Sequence, residues 1–212
     1  MFDIKDEECL RSACGQILGA EPDEKAVGLL LAYVESLVHW NKAYNLTAIR
    51  DPQEMITRHL LDSIAVLPFL KTDSLLDAGT GAGLPGLILA IMCPEMQVTL
   101  LDSSGKKVRF LRHVKRQLCI DNIHPTEQRL ESFKPDKLPR VIISRAFSSL
   151  AQFASASRHL MADGAMLFAM KGKNPESEIG SLEEWVQVRS VEKLLVPGLH
   201  EQRHLVMMSA KT

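Results

Sequence analysis

The sequence is poor in cysteine, and its cysteines follow no known cross-linking pattern. The 212 residues include four of them, with no CxxC pair and no regular spacing: Cys9, Cys14, Cys93 and Cys119. The sequence therefore predicts neither a disulfide framework nor a zinc cage, and a reducing compartment is the simplest location for the protein.

Long hydrophobic runs, a basic leader and a strong net charge are also missing. The longest apolar run, about residues 84–93, ends at Pro94 and is too short to cross a bilayer. The first ten residues, MFDIKDEECL, are acidic where a secretory signal is basic and then apolar. We therefore expect a soluble cytoplasmic protein. Because the formal net charge is -1, any contact with nucleic acid must depend on local clusters of basic residues.

The composition that is present suits one folded domain with an extension, since 46% of the residues are hydrophobic and 24% are charged. Between residues 22 and 43, apolar side chains recur at the spacing of one face of a helix. A second helix is predicted to begin at DPQE, with Asp51 as N-cap and Pro52 in the first turn, and to end near Pro68. We therefore assign residues 1–70 to a helical extension.

Beyond residue 70 the apolar pattern changes to short segments, at 75–78, 97–101, 140–144, 164–170, 191–196 and 204–208. Stretches of helical length separate most of them, and this alternation predicts a parallel α/β sheet within residues 71–212. The last two segments lie close together, on either side of Pro197 and Gly198. They are predicted to close the sheet as an antiparallel hairpin.

The stretch LLDAGTGAGLPGLILA, residues 75–90, is predicted to form a strand, a ligand-binding turn and the start of a helix. Its glycines remove Cβ atoms where a ligand would lie against the main chain. None of them is followed by the lysine and hydroxyl residue of a phosphate-binding P-loop. Gly81, Gly83 and Gly86 do satisfy GxGxxG, and Asp102 follows Gly81 by 21 residues, so a nicotinamide dinucleotide fits the spacing.

The charge before the glycines favours a different cofactor. Asp77 is predicted to end the strand two residues before Gly79, where its carboxylate would repel a pyrophosphate. S-adenosylmethionine has no phosphate and carries a sulfonium and an ammonium, which the same carboxylate would attract, while Asp102 can accept hydrogen bonds from its ribose. We therefore favour S-adenosylmethionine. A nicotinamide oxidoreductase and a turn that binds nothing are the alternatives at this point.

One zinc motif is interpreted as chance. HEQRH, residues 200–204, matches the HExxH of zinc proteases, in which both histidines lie on one face of a helix. Here Pro197 and Gly198 precede the motif, and LVMMSA follows with strand character. We therefore predict no metal site.

The segment VIISRAFSS, residues 141–149, places Arg145 at the end of a strand, where open α/β sheets bind substrates. The sequence lacks the NPPY or DPPY motif used to methylate exocyclic amines and the Pro-Cys nucleophile used for pyrimidine carbon. A guanine N7 has an in-plane lone pair and needs alignment rather than a base, which an arginine can provide. Arg145 is the first candidate catalytic residue, and Lys171, at another strand end, is the second. The alternative is that Arg145 simply pairs with Glu131 or a strand-end carbonyl group.

A basic ridge is predicted on the helix that follows Asp102, KKVRFLRHVKR, residues 106–116. Helical spacing directs four apolar residues inward, namely Val108, Leu111, Val114 and Leu118, and leaves Lys106, Arg109, His113 and Arg116 outside. A solvated helix face is the default interpretation of this pattern. The concentration of charge makes contact with RNA phosphates its rival.

Several longer motifs give the sequence a resemblance to one family. They are HWNKAYNLTAIRDP at 39–52, RHLLDS at 58–63, LLDAGTGAGLPG at 75–86, LLDSSGKKVRFLR at 100–112, QRLE at 128–131, SRAF at 144–147 and AMKG at 169–172. On these motifs the sequence resembles, nearly end to end, the bacterial RsmG or GidB family of small-subunit ribosomal RNA guanine-N7 methyltransferases. The resemblance implies an α/β, Rossmann-like methyltransferase fold, with a mostly parallel seven-stranded sheet, an antiparallel final strand and a helical N-terminal extension.

The resemblance also implies roles for particular residues. S-adenosylmethionine is expected to contact, besides Asp77 and Gly81 of the glycine loop, the residues Gly79, Leu84, Asp102, Leu130, Glu131 and Arg145. The substrate is expected to be one guanine of 16S ribosomal RNA, within the small ribosomal subunit or an assembly intermediate. Contacts to RNA are expected from Lys106, Arg109, Arg116 and Arg203. The intact cofactor and SRAF motifs argue against the alternative of a non-catalytic RNA-binding protein.

Overall fold

Two long helices begin the computed structural model, which describes residues 2–161, 164–172 and 175–211. Helix α1 (Ile4–Leu18) starts at a capping box between Asp3 and Asp6 and ends at Gly19 in the left-handed conformation. Helix α2 (Glu24–Tyr44) is capped by Asp23 and coincides with the helix predicted over 22–43. Its apolar face is buried, which confirms the periodicity argument.

The helix predicted at DPQE begins as expected but is not regular. Asp51 caps α3 (Pro52–Met55) by accepting a hydrogen bond from the Gln53 backbone N–H. A π-helical turn (Ile56–Leu61) follows, then α4 (Asp62–Ile64) and a 3₁₀ turn (Leu67–Phe69). The extra residue per turn in a π-helix rotates the side chains that follow it, and such turns are frequent at functional sites.

In the described ranges, seven strands, numbered along the chain, form one sheet in the order β3-β2-β1-β4-β5-β7-β6. The strands are β1 (Ser74–Ala78), β2 (Gln97–Asp102), β3 (Ile123–Glu127), β4 (Val141–Ser144), β5 (Met166–Lys171), β6 (Val186–Lys193) and β7 (His204–Ala210). Pairing is parallel from β3 to β5, and β7 is antiparallel to both β5 and β6. The predicted mostly parallel sheet, closed by an antiparallel hairpin, is confirmed.

Two strands differ from the sequence pattern. Strand β3 (IHPTE) was not predicted among the apolar segments, because it lies at the sheet edge with only Ile123 buried, and Pro125 is tolerated at such an edge. The segment predicted at 191–196 was wrong in position, since β6 runs from Val186 to Lys193. At this other edge only Val186 is buried and the rest of the strand alternates half-buried and exposed residues, whereas the apolar run Leu194–Val196 lies after it.

Helices cover both faces of the sheet. Helices α5 (Gly86–Met92) and α6 (Gly105–Gln117) lie on one face, and α7 (Leu150–Ser157) packs on the other. The N-terminal helices are not packed separately, because buried residues of α2 such as Val27 and Leu30 belong to the same hydrophobic core as Leu87 and Phe110. The short helix α8 (Glu176–Ile179) precedes β6. Within the described residues, no helix is long and apolar enough to span a membrane.

Candidate cofactor and acceptor site

The loop between β1 and α5 is shaped by glycines that no other residue could replace without strain. Gly79 has φ +72° and Gly83 has φ +103°, a region that favours glycine. A Cβ added to Gly79 would lie 2.9 Å from the Cβ of Ala146, so the loop approaches the end of β4 closely. On its other side, the Tyr33 hydroxyl of α2 donates to the Ala82 carbonyl over 2.9 Å. The loop is therefore held between the sheet and the N-terminal helices.

Asp77 lies buried beneath this loop rather than facing a cavity. Its Oδ2 accepts hydrogen bonds from the Thr80 hydroxyl at 2.6 Å and the Gly86 backbone N–H at 2.7 Å. Its buried Oδ1 has no hydrogen-bond partner among the described residues. Burial raises the pKa of this carboxyl to about 6, against the lowering effect of the two hydrogen bonds. Near neutral pH the group is mostly ionised and places a negative charge under the loop.

Replacing Asp77 with asparagine is expected to remove a pH dependence of stability. The raised pKa means that protonated Asp77 favours the folded state, so the wild type loses this contribution as the pH rises from about 4 through about 6. Asparagine keeps an acceptor oxygen for Thr80 and Gly86 and does not titrate. In thermal unfolding from pH 4 to 7.5, the midpoint of Asp77→Asn relative to wild type should therefore increase with pH. A constant difference between the two midpoints across this pH range would contradict the raised pKa of the buried Asp77 carboxyl.

Asp102, at the end of β2, ties that strand to the glycine loop. Its Oδ2 accepts from the Gly81 backbone N–H at 2.9 Å and from the Lys107 ammonium at 3.3 Å, and its Oδ1 accepts from the Ser104 backbone N–H at 2.9 Å. The carboxylate is nearly buried but still lines a cavity. It is thus fixed at the carboxyl edge of the sheet, as the spacing from the loop predicts.

Two adjoining cavities follow the carboxyl ends of the central strands. The first, of about 270 Å³, includes Asp102, Leu130 and Glu131 in its lining, and the second, of about 210 Å³, includes Gly81, Leu84 and Arg145. Gly79 and Ala146 line both, so the two form one cleft. The structure therefore brings together all the residues that we predicted to bind the cofactor except Asp77, which lines neither cavity.

A third cavity, of about 420 Å³, continues this cleft towards the N-terminal helices. It shares Thr47 and Arg145 with the second cavity, and its lining is rich in cations, with Arg58, Lys171 and Arg203 beside Arg145. We call it the acceptor cavity. We call the first two cavities the cofactor cavities, after the residues predicted to bind S-adenosylmethionine. Because the acceptor cavity meets the second of them at Arg145, a molecule bound in one can reach a molecule bound in the other.

Among the described residues, Asp62 is the only carboxylate in the lining of the acceptor cavity, and it is paired with two of the cations there. Its Oδ2 lies 3.1 Å from Arg145 Nη1, and its Oδ1 lies 2.9 Å from Arg203 Nε. Arg145 also donates to the Arg58 carbonyl at 3.2 Å. The sequence alternative in which Arg145 pairs with Glu131 or a strand-end carbonyl was therefore wrong, since its partners belong to the segment 58–62.

His59 adds a buried, uncharged group to the same wall. One ring nitrogen lies 2.9 Å from the Thr47 hydroxyl and the other lies 3.0 Å from the Arg58 carbonyl. Burial, assisted by the charge of Arg145, lowers the pKa of the imidazole to about 4, so that it is neutral at neutral pH. Sequence reasoning missed Thr47, His59 and Asp62 as site residues. The only signal for them was their presence in the motifs at 39–52 and 58–63.

Lys171 lines the acceptor cavity, but its ammonium group is already engaged. It lies 2.9 Å from Glu178 and donates to the carbonyl groups of Phe147 at 3.4 Å and Ser148 at 3.2 Å, leaving its side chain 11% exposed. Glu178 also accepts from the Leu150 backbone N–H at 2.8 Å. Lys171 therefore supports the loop that follows Arg145.

The helix α6 carries the predicted basic ridge. Val108, Leu111 and Val114 are buried, whereas the outer face exposes Lys106, Arg109, Arg112 and Arg116. Leu118 and His113 are half-buried, and the His113 ring lies 4.9 Å from that of Trp40 on α2. Arg203 is not part of this ridge, because it lies in the acceptor cavity.

The HEQRH segment does not have the helical geometry of a zinc protease. Residues 200–203 form an irregular segment, and His204 begins strand β7. Two histidines separated in this way cannot occupy one helical face as the HExxH motif requires. Within the described residues, no group of three histidine, cysteine, aspartate or glutamate side chains could hold a metal ion.

The strand order, the glycine loop after β1 and the acidic residue at the end of β2 define the class of Rossmann-like, S-adenosylmethionine-dependent methyltransferases. A solved methyltransferase from Aquifex aeolicus has the same fold, at a TM-score of 0.57 and 18% identity over 84% of this chain and 97% of that one. TrmN from Thermus thermophilus aligns at a TM-score of 0.57 and 15% identity, over 74% of this chain and 53% of that one.

Sequence comparison places the chain more narrowly. It belongs to the GidB family, since the family model described as rRNA small subunit methyltransferase G matches residues 27–206. A ribosomal RNA small subunit methyltransferase G from Methylobacillus flagellatus is 48% identical over 93% of both chains. The protein of that name from Escherichia coli is 51% identical over 85% of this chain and 87% of its own. The resemblance inferred from the motifs is confirmed.

Proposed function

We propose that this protein transfers the methyl group of S-adenosylmethionine to N7 of one guanine in 16S ribosomal RNA, in the cytoplasm. The observation that carries the proposal is a continuous cleft of three cavities. The two cofactor cavities join at Gly79 and Ala146, and the second of them meets the cationic acceptor cavity at Thr47 and Arg145. Family membership supplies the substrate class, because the relatives are named as methyltransferases of small-subunit ribosomal RNA. The small subunit or one of its assembly intermediates is the proposed form of that substrate.

The cofactor cavities suit S-adenosylmethionine better than a dinucleotide. The buried, mostly ionised Asp77 puts negative charge under the glycine loop, which favours a cationic ligand over a pyrophosphate. We propose that Asp102 accepts hydrogen bonds from ribose hydroxyls, that Leu130 and Glu131 hold the adenine side, and that Gly79, Gly81 and Leu84 lie against the rest of the molecule. Arg145 is the proposed boundary between cofactor and acceptor.

The reaction needs alignment more than acid or base catalysis. When bound, S-adenosylmethionine supplies a methyl group on a sulfonium, and its transfer to N7 leaves sulfur neutral and positive charge on the purine ring. No proton is lost from N7, because the attacking lone pair lies in the ring plane. Arg145 has N–H groups that can donate to the guanine carbonyl and fix the base edge. Its proposed contribution is therefore orientation. Lys171 contributes by holding the loop that carries Arg145.

The exposed face of α6 is the proposed surface for RNA outside the catalytic cleft, through Lys106, Arg109 and Arg116, while Arg203 would contact RNA within the cleft. Arg109→Glu and Arg116→Glu should each weaken binding of a 16S ribosomal RNA fragment and reduce its salt dependence, because each lost phosphate contact releases about one counterion fewer. The measurement is RNA affinity at several salt concentrations. Lys137→Glu is the control, because Lys137 is exposed near the amino ends of the strands. If the slope of log affinity against log salt concentration were the same for all variants and the wild type, the ridge would face solvent without contacting RNA.

A calorimetric titration with S-adenosylhomocysteine, followed by a methyl-transfer assay, tests the proposed function. Wild type should bind S-adenosylhomocysteine saturably and not NADH, and Asp102→Ala should weaken that binding by about tenfold. Asp136→Ala, exposed at the opposite edge, should bind as wild type does. The wild type should then methylate small subunits that lack the modification, with the product mapped to guanine N7. Binding of NADH alone would indicate an oxidoreductase, and RNA binding without transfer would indicate a non-catalytic protein.

A further inference from the structure

The acceptor cavity contains one buried carboxylate whose position the reaction alone does not explain. Asp62 lies on α4, directly after the π-helical turn, and its side chain is 3% exposed. Each of its oxygens is bound by a different guanidinium, that of Arg145 and that of Arg203. The three groups come from positions 83 and 141 residues apart, so only the folded chain assembles them.

The two arginines lie at the ends of different strands of the sheet. Arg145 directly follows β4, and Arg203 directly precedes β7, with β5 between these strands. Long arginine side chains at strand ends have many rotamers, and holding them still costs conformational entropy. A shared carboxylate fixes both through charge-assisted hydrogen bonds, and it does so from a short helix outside the sheet.

Neither arginine uses all of its donors in this arrangement. Arg145 commits Nη1 to Asp62 and the Arg58 carbonyl, and Arg203 commits Nε to Asp62 and Nη1 to the Gln202 carbonyl. Within the described part of the chain, Nη2 of each has no hydrogen-bond partner. These groups can still donate in a cavity where a nucleotide offers a base carbonyl and phosphate oxygens.

The negative charge of Asp62 also suits the proposed reaction. The acceptor ring gains positive charge during methyl transfer, which neighbouring guanidinium groups alone would oppose. Two guanidinium groups that share one buried carboxylate oppose this gain of positive charge less than two unpaired guanidinium groups would. A neutral residue at position 62 could fill the space but could not offset the charge.

We infer that Asp62 is a positioning residue of the acceptor site, a buried carboxylate that holds Arg145 and Arg203 in place to bind the target nucleotide. This inference rests on the proposed function. Arg145 is held beside the base, and Arg203 is held towards a phosphate. The role is distinct from cofactor binding, since Asp62 lines only the acceptor cavity.

A double-mutant cycle tests the inference on full-length protein, with Asp62→Asn, Arg203→Ala and their combination. The readouts are the steady-state constants for methylation of small subunits and the affinity for a 16S ribosomal RNA fragment without cofactor. Asp62→Asn should lower kcat/KM by tenfold or more in the wild-type background. In the Arg203→Ala background the same change should cost at least threefold less, because one of the two side chains that it positions is gone. Equal fold losses in both backgrounds would overturn the inference.

Controls separate positioning from general instability. Asp73→Asn removes the carboxylate of an exposed pair with Arg140 at the opposite edge of the sheet and should leave activity unchanged. Saturable S-adenosylhomocysteine binding by Asp62→Asn would show that the variant folds. If that variant does not fold, Arg203→Lys gives the second test, since it keeps the charge but not the guanidinium contact, and full activity for it would overturn the inference. Wild-type protein that transfers no methyl group would instead overturn the proposed function.

Discussion

Arg145→Ala should lower kcat/KM for methyl transfer by about a hundredfold or more, the size of effect seen when one preorganised donor is removed from an active site. In the part of the chain that the structure describes, Arg145 is the one cation that lines both the cofactor cavity beside the glycine loop and the acceptor cavity. Its guanidinium is fixed by Asp62 and the Arg58 carbonyl before any substrate binds. In the proposed reaction Arg145 aligns the acceptor base with the methyl donor, and the alanine variant lacks that group.

The fold should survive this substitution, which makes the activity loss interpretable. The Arg145 side chain is 30% exposed, and Asp62 keeps its contact with Arg203, so the buried carboxylate is not left without a partner. Arg145→Lys keeps the charge but cannot reproduce the planar guanidinium contacts, and it should remain at least about tenfold below wild type. Thermal unfolding provides the control for folding. A variant without Arg145 that methylates normally would remove this residue from the mechanism.

Most of the candidate cofactor site could be predicted from the sequence because its residues are set by local patterns. The glycine loop, its preceding Asp77 and the strand-end Asp102 are set by short motifs and by one crossover connection, so spacing alone placed them correctly at the carboxyl edge. Leu130 and Glu131 were named only through the family resemblance. The structure adds that Asp77 supports the loop from below instead of lining a cavity.

The arrangement of the candidate acceptor site could not be predicted in the same way because its contacts are long-range. The pairing of Asp62 with Arg203 joins residues 141 positions apart, and no periodicity or motif spacing encodes such a contact. The π-helical turn before Asp62 is similarly invisible to an argument based on 3.6-residue spacing. At the two edges of the sheet the reason is different. The strands β3 and β6 bury too few side chains to leave a continuous apolar run in the sequence.

Gly86→Ala, at the first residue of α5, should be more destabilising than an alanine at any other glycine of the segment 79–86. A Cβ at this position would lie 2.6 Å from the Asp77 Cβ and from a methyl carbon of Leu100, and 2.7 Å from Asp77 Oδ2. Overpacking in a tight core costs about 1–3 kcal/mol, and losing the hydrogen bond from the Gly86 N–H to a carboxylate costs about 1.5–3 kcal/mol more. We expect a loss of about 4 kcal/mol in the free energy of unfolding.

The clash at Gly86 involves atoms that cannot move away easily, because the Asp77 Cβ is fixed to the backbone of a central strand. The helix start must therefore shift, and with it the loop that Asp77 holds through Thr80. Urea unfolding measures the loss of stability. Calorimetry with S-adenosylhomocysteine measures how much the displacement of the loop weakens cofactor binding. Gly28→Ala is the matched control, since Gly28 lies within α2, four residues after its first residue, and its added Cβ meets nothing within 4 Å. This change should stabilise the protein by about 0.5–1 kcal/mol. If Gly86→Ala retained both stability and cofactor affinity, the close packing of the loop on Asp77 would be wrong, and the buried carboxylate could not be the group that fixes its shape.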